Sequence, residues 1–352
     1  MESSYLDPVR PEIIEANLNG KSNISSCIHQ GLTTNPPPEQ NQLAIIGADA
    51  KWANRVRFQL YKFAANFTSS TICDLGNLNT LNPESVTSVA IDVAGNGAIP
   101  IFIGMRSDIA HNVWKHLNGS NPALQGLFVR ESFPTWLHTV GERERICFMG
   151  LQSHLLDNES RRHIESTNAS WLRLSKMRDA LEETEPVIRD THFLNFDLSA
   201  IRYSDLPSQI SHSTSGLSSE EACRITRYAG LAPDLRFVVI SGHDPLSPEH
   251  GPSANTTAQL LWYFASGLDN RIIERPAAGD RFTQYVVHLQ RFDFDLKFYK
   301  SNMSGRWWLE LPARENQYIF SCAYRDYLAA CEDVVTDRVI ACVEMSMNVI
   351  QG

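Results

Sequence analysis

The chain has 352 residues, of which 43% are hydrophobic and 9% aromatic, so it can bury a sizeable core and global disorder is excluded. Its formal net charge of −9, with no run of Lys or Arg, argues against non-specific binding to nucleic acid or an anionic membrane. No apolar stretch reaches the ~18 residues of a membrane span, the start has no basic and apolar signal pattern, and the seven cysteines are odd in number with no CxxC. Reduced thiols and a cytoplasmic location are expected.

Residues 1–42 are polar and include the Pro-rich "TTNPPPEQNQ", so they are expected to form an N-terminal arm or linker. From residue 43 to 352 the texture is that of a single domain. "LAIIGAD" (43–49) reads as a buried parallel strand. Helical spacing follows over 55–67, with Val56, Leu60, Phe63 and Phe67 on one face. A helix over 86–97 ends in Gly; a strand at 99–105 leads into a helix at 107–117. Strands are expected at 145–151, 192–198 and 236–242, with helices around 158–166, 171–183 and 218–229. Ser218 and Glu221 fit a capping box for the last of these. "TTAQLLWYFASGL" (256–268) is an apolar helix closed by Gly267. Alternating strands and helices predict a three-layer α/β/α fold with a mainly parallel, doubly wound sheet.

The end of the chain, about 281–345, reads as a hairpin and a last helix, with a turn at Asn302 to Gly305. On its alternating strand, Trp307 and Trp308 should face opposite sides, one in the core and one half exposed.

Active sites of doubly wound folds lie at the carboxyl ends of the strands. Here those ends read "IIGADAKW", "FIGMRSD", "FMGLQSH", "NFDLS" and "VISGHDP": small residues followed by polar or titratable ones. No phosphate-cradling Gly-rich motif and no GxSxG elbow occurs. Cys147, beside Gly150 and His154, is a weak nucleophile candidate that reads better as a buried strand thiol.

The order of these segments resembles the arginase–agmatinase–formimidoylglutamase family. "IIGADAKWANRVRFQLYKFAANFTSSTICDLGNL" is similar to its opening strand, Arg-Leu-Tyr helix and "DLG" second strand, and "IPIFIGMRSD" stands in the place of its Gly-Gly-Asp-His strand. "NFDLSAIRYSDLPSQISHSTSGLSSEEACRI" and "VVISGHDP…TTAQLLWYFASGL" are similar to its Asp-x-Asp segment, penultimate strand and final helix. "FYKSNMSGRWWLELP" and "CAYRDYLAAC" resemble the C-terminal extension of the formimidoylglutamase-like branch. The resemblance runs from about residue 43 to 332 and implies an arginase-type fold.

It also implies two Mn²⁺ bridged by a hydroxide that attacks a guanidinium or formimino carbon, with carboxylates and imidazoles as ligands. Those ligands are mostly replaced. Arg106 and Ser107 occupy the Asp-His places, and Asp108 follows them. Asp197 keeps its carboxylate, but Ser199 and Arg202 stand where two more are implied, and Gly242 takes the place of a late Glu. The Asp-Ala-His-x-Asp strand implied between 117 and 145 has no counterpart. Asp197 is therefore expected to pair with Arg106 or Arg202. A rebuilt metal site from Asp197, His243 and Asp244 is an alternative, as is an anion pocket formed by Arg106 and Arg202. "HDP" otherwise reads as a turn capped by Asp244, with His154 and His192 as hydrogen-bonded histidines near the surface.

The reading is a metal-depleted, non-catalytic member of this fold that binds or assembles, with no cofactor. The alternative is a Mn²⁺-dependent hydrolase of linear amidine C–N bonds with a rebuilt site. Candidate partners are a second copy of the chain and a small anionic or guanidino ligand, with neither nucleic acid nor membrane.

Overall fold

The computed structural model describes residues 5–10, 12–13, 23–32, 41–121, 124–141, 144–167, 169–276, 280–291, 293–311 and 318–350. Its central sheet contains β1 (Leu6–Asp7), β2 (His29–Gln30), β3 (Asn41–Gly47), β4 (Ser70–Leu78), β5 (Ala98–Met105), β6 (Gln125–Val129), β7 (Arg145–Leu151), β8 (Ser170–Arg173), β9 (Phe193–Asp197) and β10 (Phe237–Ser241). The strand order is β1-β4-β3-β5-β10-β9-β6-β7-β8, with β2 also on β4, and every pairing except β1–β4 is parallel. The chain skips from β5 to β6 and returns later to fill the gap with β9 and β10. That late return brings the ends of strands far apart in sequence to one edge, as a doubly wound sheet does at its switch point.

Strand alternation explains the two faces. Leu43 and Ile45 of β3 enter one core with Val56 of α1 (Ala50–Leu60), Ile225 of α7 (Ser219–Leu231) and Leu260 of α8 (His250–Asp269). Ala44 and Ile46 enter the other, with Val89 of α2 (Pro83–Gly95) and Trp114 of α3 (Ser107–Ser120). The shorter α4 (Asn158–Glu165), α5 (Leu174–Asp179) and α6 (Glu185–Arg189) follow β7 and β8. Local chemistry sets the helix starts: Asp49 accepts from Trp52 N, Asn82 caps α2 with Pro83 next to it, and Ser218 and Glu221 form the expected capping box.

Several boundaries differ from the sequence reading for physical reasons. The helix expected over 55–67 stops at Leu60, because Ile24 N and Ser25 N bond the carbonyls of Phe63 and Tyr61 and turn the chain aside. Phe63 and Phe67 thus lie beyond the helix, although both pack on the same core. Residues 171–183 open as edge strand β8 before α5 begins. Gly267 does not close α8, which runs on to Asp269. It lets α8 touch α7: a Cβ on Gly267 would lie 2.2 Å from Arg227 O, and one on Gly230 2.2 Å from Phe264 O.

Within the segment expected as an arm, Leu6–Asp7 and His29–Gln30 add to the β4 edge, and Ile24 is fully buried. Most of the Pro-rich stretch, 33–40, lies outside the described residues.

The C-terminal part is larger than a hairpin and one helix. β11 (Phe282–Leu289), β12 (Phe294–Ser301), β13 (Trp307–Leu311) and β14 (Tyr318–Cys322) form a second, antiparallel sheet, followed by α9 (Tyr324–Cys331) and α10 (Asp337–Ile350). Trp307 and Trp308 do face opposite sides, but both are buried, at 7% and 5% exposure. Trp307 stacks on Tyr285 and Tyr327, while Trp308 is covered by the Arg189 guanidinium, 4.6 Å from its ring, and by Phe282. The side expected to be half exposed is instead the face that docks on the main domain. Among the described residues no helix is long and apolar enough to cross a membrane.

Candidate functional site

The carboxyl ends of β5, β10, β9 and β6 lie side by side in that order, and Asp197 closes β9. Asp197 is 3% exposed, and its Oδ1 accepts from Ser199 N at 3.0 Å, so it caps the short 3₁₀ turn Leu198–Ala200. The neighbouring strand turns directly against it. Gly242 has φ +81°, and a Cβ there would sit 2.0 Å from Asp197 Oδ1. No side chain fits at 242 while Asp197 holds this position.

The arginines expected to neutralise Asp197 do not reach it. Arg106 is exposed, its side chain at 72%, and it forms a bidentate pair with Asp108 (3.1 and 2.7 Å). Arg202 Nε donates to Asp205 Oδ1 at 2.7 Å, and Asp205 also accepts from Ser219 N at the start of α7. Each arginine is spent on the acid two or three residues ahead of it, a local pairing the sequence reading overlooked. An anion pocket built from Arg106 and Arg202 has no basis in this geometry.

The proposed metal trio is also dispersed. Asp244 Oδ1 accepts from Leu246 N at 2.9 Å, the capped turn that "HDP" suggests. His243 donates from Nε2 to Asp49 Oδ2 at 3.2 Å and stacks on Trp52, with ring centroids 5.3 Å apart at 10°. The His243 hydrogen bond, helped by Trp52 N, holds the Asp49 carboxyl down at about 2 against the effect of burial. His154 is exposed on a short turn. His192 lies at the opposite end of β9, where its Nδ1 accepts from Gln125 N at 3.2 Å. Cys147 is buried in β7, and burial pushes its thiol up, which makes it a poor nucleophile.

A basic residue outside the sequence reading, Arg130, follows β6 at this edge of the sheet. Arg130 is half-buried; its Nη1 donates to Ser107 Oγ at 3.2 Å and its Nε to Ser132 O at 2.6 Å. Burial pulls its guanidinium below the usual range, opposed by the charges of Asp197 and Glu131. Glu131 is itself buried, within 3.5 Å of Gln152 Nε2. A short apolar β-rich run ending in Arg-Glu was the available signal.

Two divalent cations do not fit this donor set. They would carry a charge of about +4 and need several carboxylates and imidazoles. Asp197 instead caps the turn that follows it, and Asp49, Asp108, Asp205 and Asp244 are each committed to a cap, a turn or an ion pair. Among the described residues no three His, Cys, Asp or Glu side chains converge closely enough to hold a metal ion.

No protein-family model matches the chain, and no curated protein matches it. Solved structures do. A Trypanosoma cruzi formiminoglutamase crystallised with Mn²⁺ is 18% identical with a TM-score of 0.60, over 72% of this chain and 100% of that one. The formimidoylglutamase from Bacillus subtilis is 13% identical with a TM-score of 0.58, over 72% and 93% of the two chains. Arginase from the same bacterium is 16% identical with a TM-score of 0.52, over 64% and 98%. The sheet, its flanking helices and these likenesses agree: this chain has the arginase-type α/β fold of the formimidoylglutamases and arginases.

Proposed function

We propose that this protein is a non-catalytic relative of the Mn²⁺-dependent amidine hydrolases, acting by binding or by assembly with a partner. One observation carries the reading: the acids at this edge of the sheet are already committed, Asp197 to the cap of its own turn, Asp49 to His243 and Trp52 N, Asp205 to Arg202, and Asp244 to Leu246 N. Hydrolysis of an amidine needs an activated water, and among the described residues no three His, Cys, Asp or Glu side chains converge to hold a metal ion that would supply one. The retained part of the molecule is its scaffold, which suits a protein whose surfaces do the work. Its seven free cysteines accord with a reducing, cytoplasmic setting. The partner we favour is another polypeptide, a second copy of the chain included.

The test is a turnover assay on the purified chain with formiminoglutamate, arginine and agmatine, with and without added Mn²⁺. The expected result is release of formamide or urea no faster than in buffer. Sustained Mn²⁺-dependent release from any of the three would favour an amidine hydrolase with a rebuilt site.

A further inference from the structure

We propose that the seam between β8 and the C-terminal helices is a binding site for a zwitterionic amino acid with an apolar side chain. The site shares no residue with the strand ends around Asp197 and stands whether or not the chain turns over a substrate.

The topology leaves a space there. β8 is the last strand on its side of the main sheet and only four residues long. Beside it, α5 and α6 of the main domain meet α9 and α10 of the C-terminal part around a cavity of about 340 Å³, a size typical of small-molecule sites. Trp171 and Leu172 of β8, Val187 of α6 and Ala341 of α10 line it, and each is only half-buried. The fold itself does not cover this apolar surface, and a ligand with an aliphatic side chain would bury it.

Charge selects the ligand. Lys176, Arg325 and Arg338 line the cavity together with Glu183, Asp326 and Asp337, so the two signs balance. A lone anion would meet as many like charges as opposite ones, and so would a lone cation. Two of the six are fixed by the protein. Arg338 donates from Nε and Nη2 to Ser321 O at 3.0 and 2.9 Å and from Nη2 to Asp190. Asp326 accepts from Ala323 N at 2.7 Å and from Thr336 Oγ1 at 2.6 Å. The other four form two exposed pairs that reach from the main domain to the C-terminal helices: Lys176 with Asp337, and Arg325 Nη1 with Glu183 Oε1 at 2.7 Å. Exposed pairs contribute little on their own, so a ligand can open them at small cost. Each sets one positive group beside one negative, and the α-carboxylate and α-ammonium of an amino acid match that arrangement in reverse. Arg338 Nη1, without a partner among the described residues, is a further donor for the carboxylate.

The experiment is a titration of the full chain, read by thermal unfolding and by the indole N–H resonance of Trp171. Three probes are compared: leucine, N-acetylleucine, which keeps only the carboxylate, and leucinamide, which keeps only the ammonium. Leucine at millimolar concentration should raise Tm and shift the Trp171 resonance, and each single-charge analogue should bind about ten-fold more weakly or worse. Ala341→Phe, which fills the cavity, should abolish the response. Arg325→Gln, at the exposed rim, should weaken leucine binding about ten-fold. No response to leucine, an equal response to either analogue, or a leucine response that survives Ala341→Phe unchanged would overturn the proposal. Should Ala341→Phe fail to fold, Arg325→Gln decides: leucine binding at wild-type strength in that variant overturns it as well.

Discussion

Arg57 and Asp74 are joined by a bidentate, fully buried ion pair, Nε to Oδ2 at 2.7 Å and Nη2 to Oδ1 at 2.9 Å. Tyr61 adds its hydroxyl to Asp74 Oδ2 at 2.6 Å, and Arg57 spends further protons on Asn77 Oδ1 and Gly76 O, both at 2.7 Å. Arg57 and Tyr61 lie one turn apart at the end of α1; Asp74, Gly76 and Asn77 belong to β4. This network locks the first helix to the sheet. It also shows what the Arg-Leu-Tyr helix and "DLG" strand do here: the wording that survives is wording that holds the fold.

Breaking that pair should be costly because the remaining charge has no access to water. Arg57→Met or Asp74→Leu should each lose about 3–5 kcal/mol in urea denaturation, while Tyr61→Phe should lose about 1 kcal/mol. A loss below about 1 kcal/mol for either charge variant would mean that the pair contributes little.

Gly242→Ala tests the close fit at the end of β9. A left-handed φ costs an L-residue roughly 1–2 kcal/mol, and the new Cβ would strike Asp197 Oδ1 at a separation of 2.0 Å. Thermal unfolding should show a marked drop for Gly242→Ala, and a smaller one when Asp197→Ala is added to make room. An unchanged Tm for the single variant would contradict the packing described.

Asp49 and His243 predict a specific acid response. The folded Asp49 carboxyl is held at about 2, below its unfolded value of ~3.9. Its contribution is thus complete above pH ~4 and is lost as the pH falls from there through about 2. The side chain is 31% exposed, so solvent screening reduces the contribution to about 1 kcal/mol. Carbon-detected NMR titration should place Asp49 near 2 in wild type and closer to the ordinary value in His243→Ala. Identical titrations in the two proteins would remove the interaction from the account.

Arg189 ties the C-terminal sheet to the main domain. It covers Trp308 and donates from Nη2 to Trp307 O and Cys322 O at 3.1 and 3.2 Å. Arg189→Ala should lower stability by about 2–3 kcal/mol and open the 280–342 region first, seen as faster amide exchange there than in β3 or β5. Uniform exchange across both parts would argue that the second sheet does not depend on this residue.

The sequence is informative where one principle acts alone. The parallel strands β3, β5, β7, β9 and β10, the Ser218–Glu221 box and the Asn302–Gly305 turn are local patterns, and each is found close to where it is read, whereas β6 and β8 are not among the strands read. Phe63 and Phe67 show the limit, since their helix is ended by Ile24 and Ser25 from a distant segment. Trp308 needed knowledge of which domain face meets the second sheet. The site was half legible. Residue types at Arg106, Ser199 and Arg202 could be read directly, but their partners could not: Arg106 and Arg202 choose the nearby acids Asp108 and Asp205.

Elemental analysis of the purified, undialysed chain tests the central claim most directly. The account predicts manganese, and every other divalent metal, at far below one ion per chain, with no gain after incubation in Mn²⁺ and desalting. Two Mn²⁺ retained per chain would contradict it and return the protein to the metal-dependent hydrolases whose fold it has.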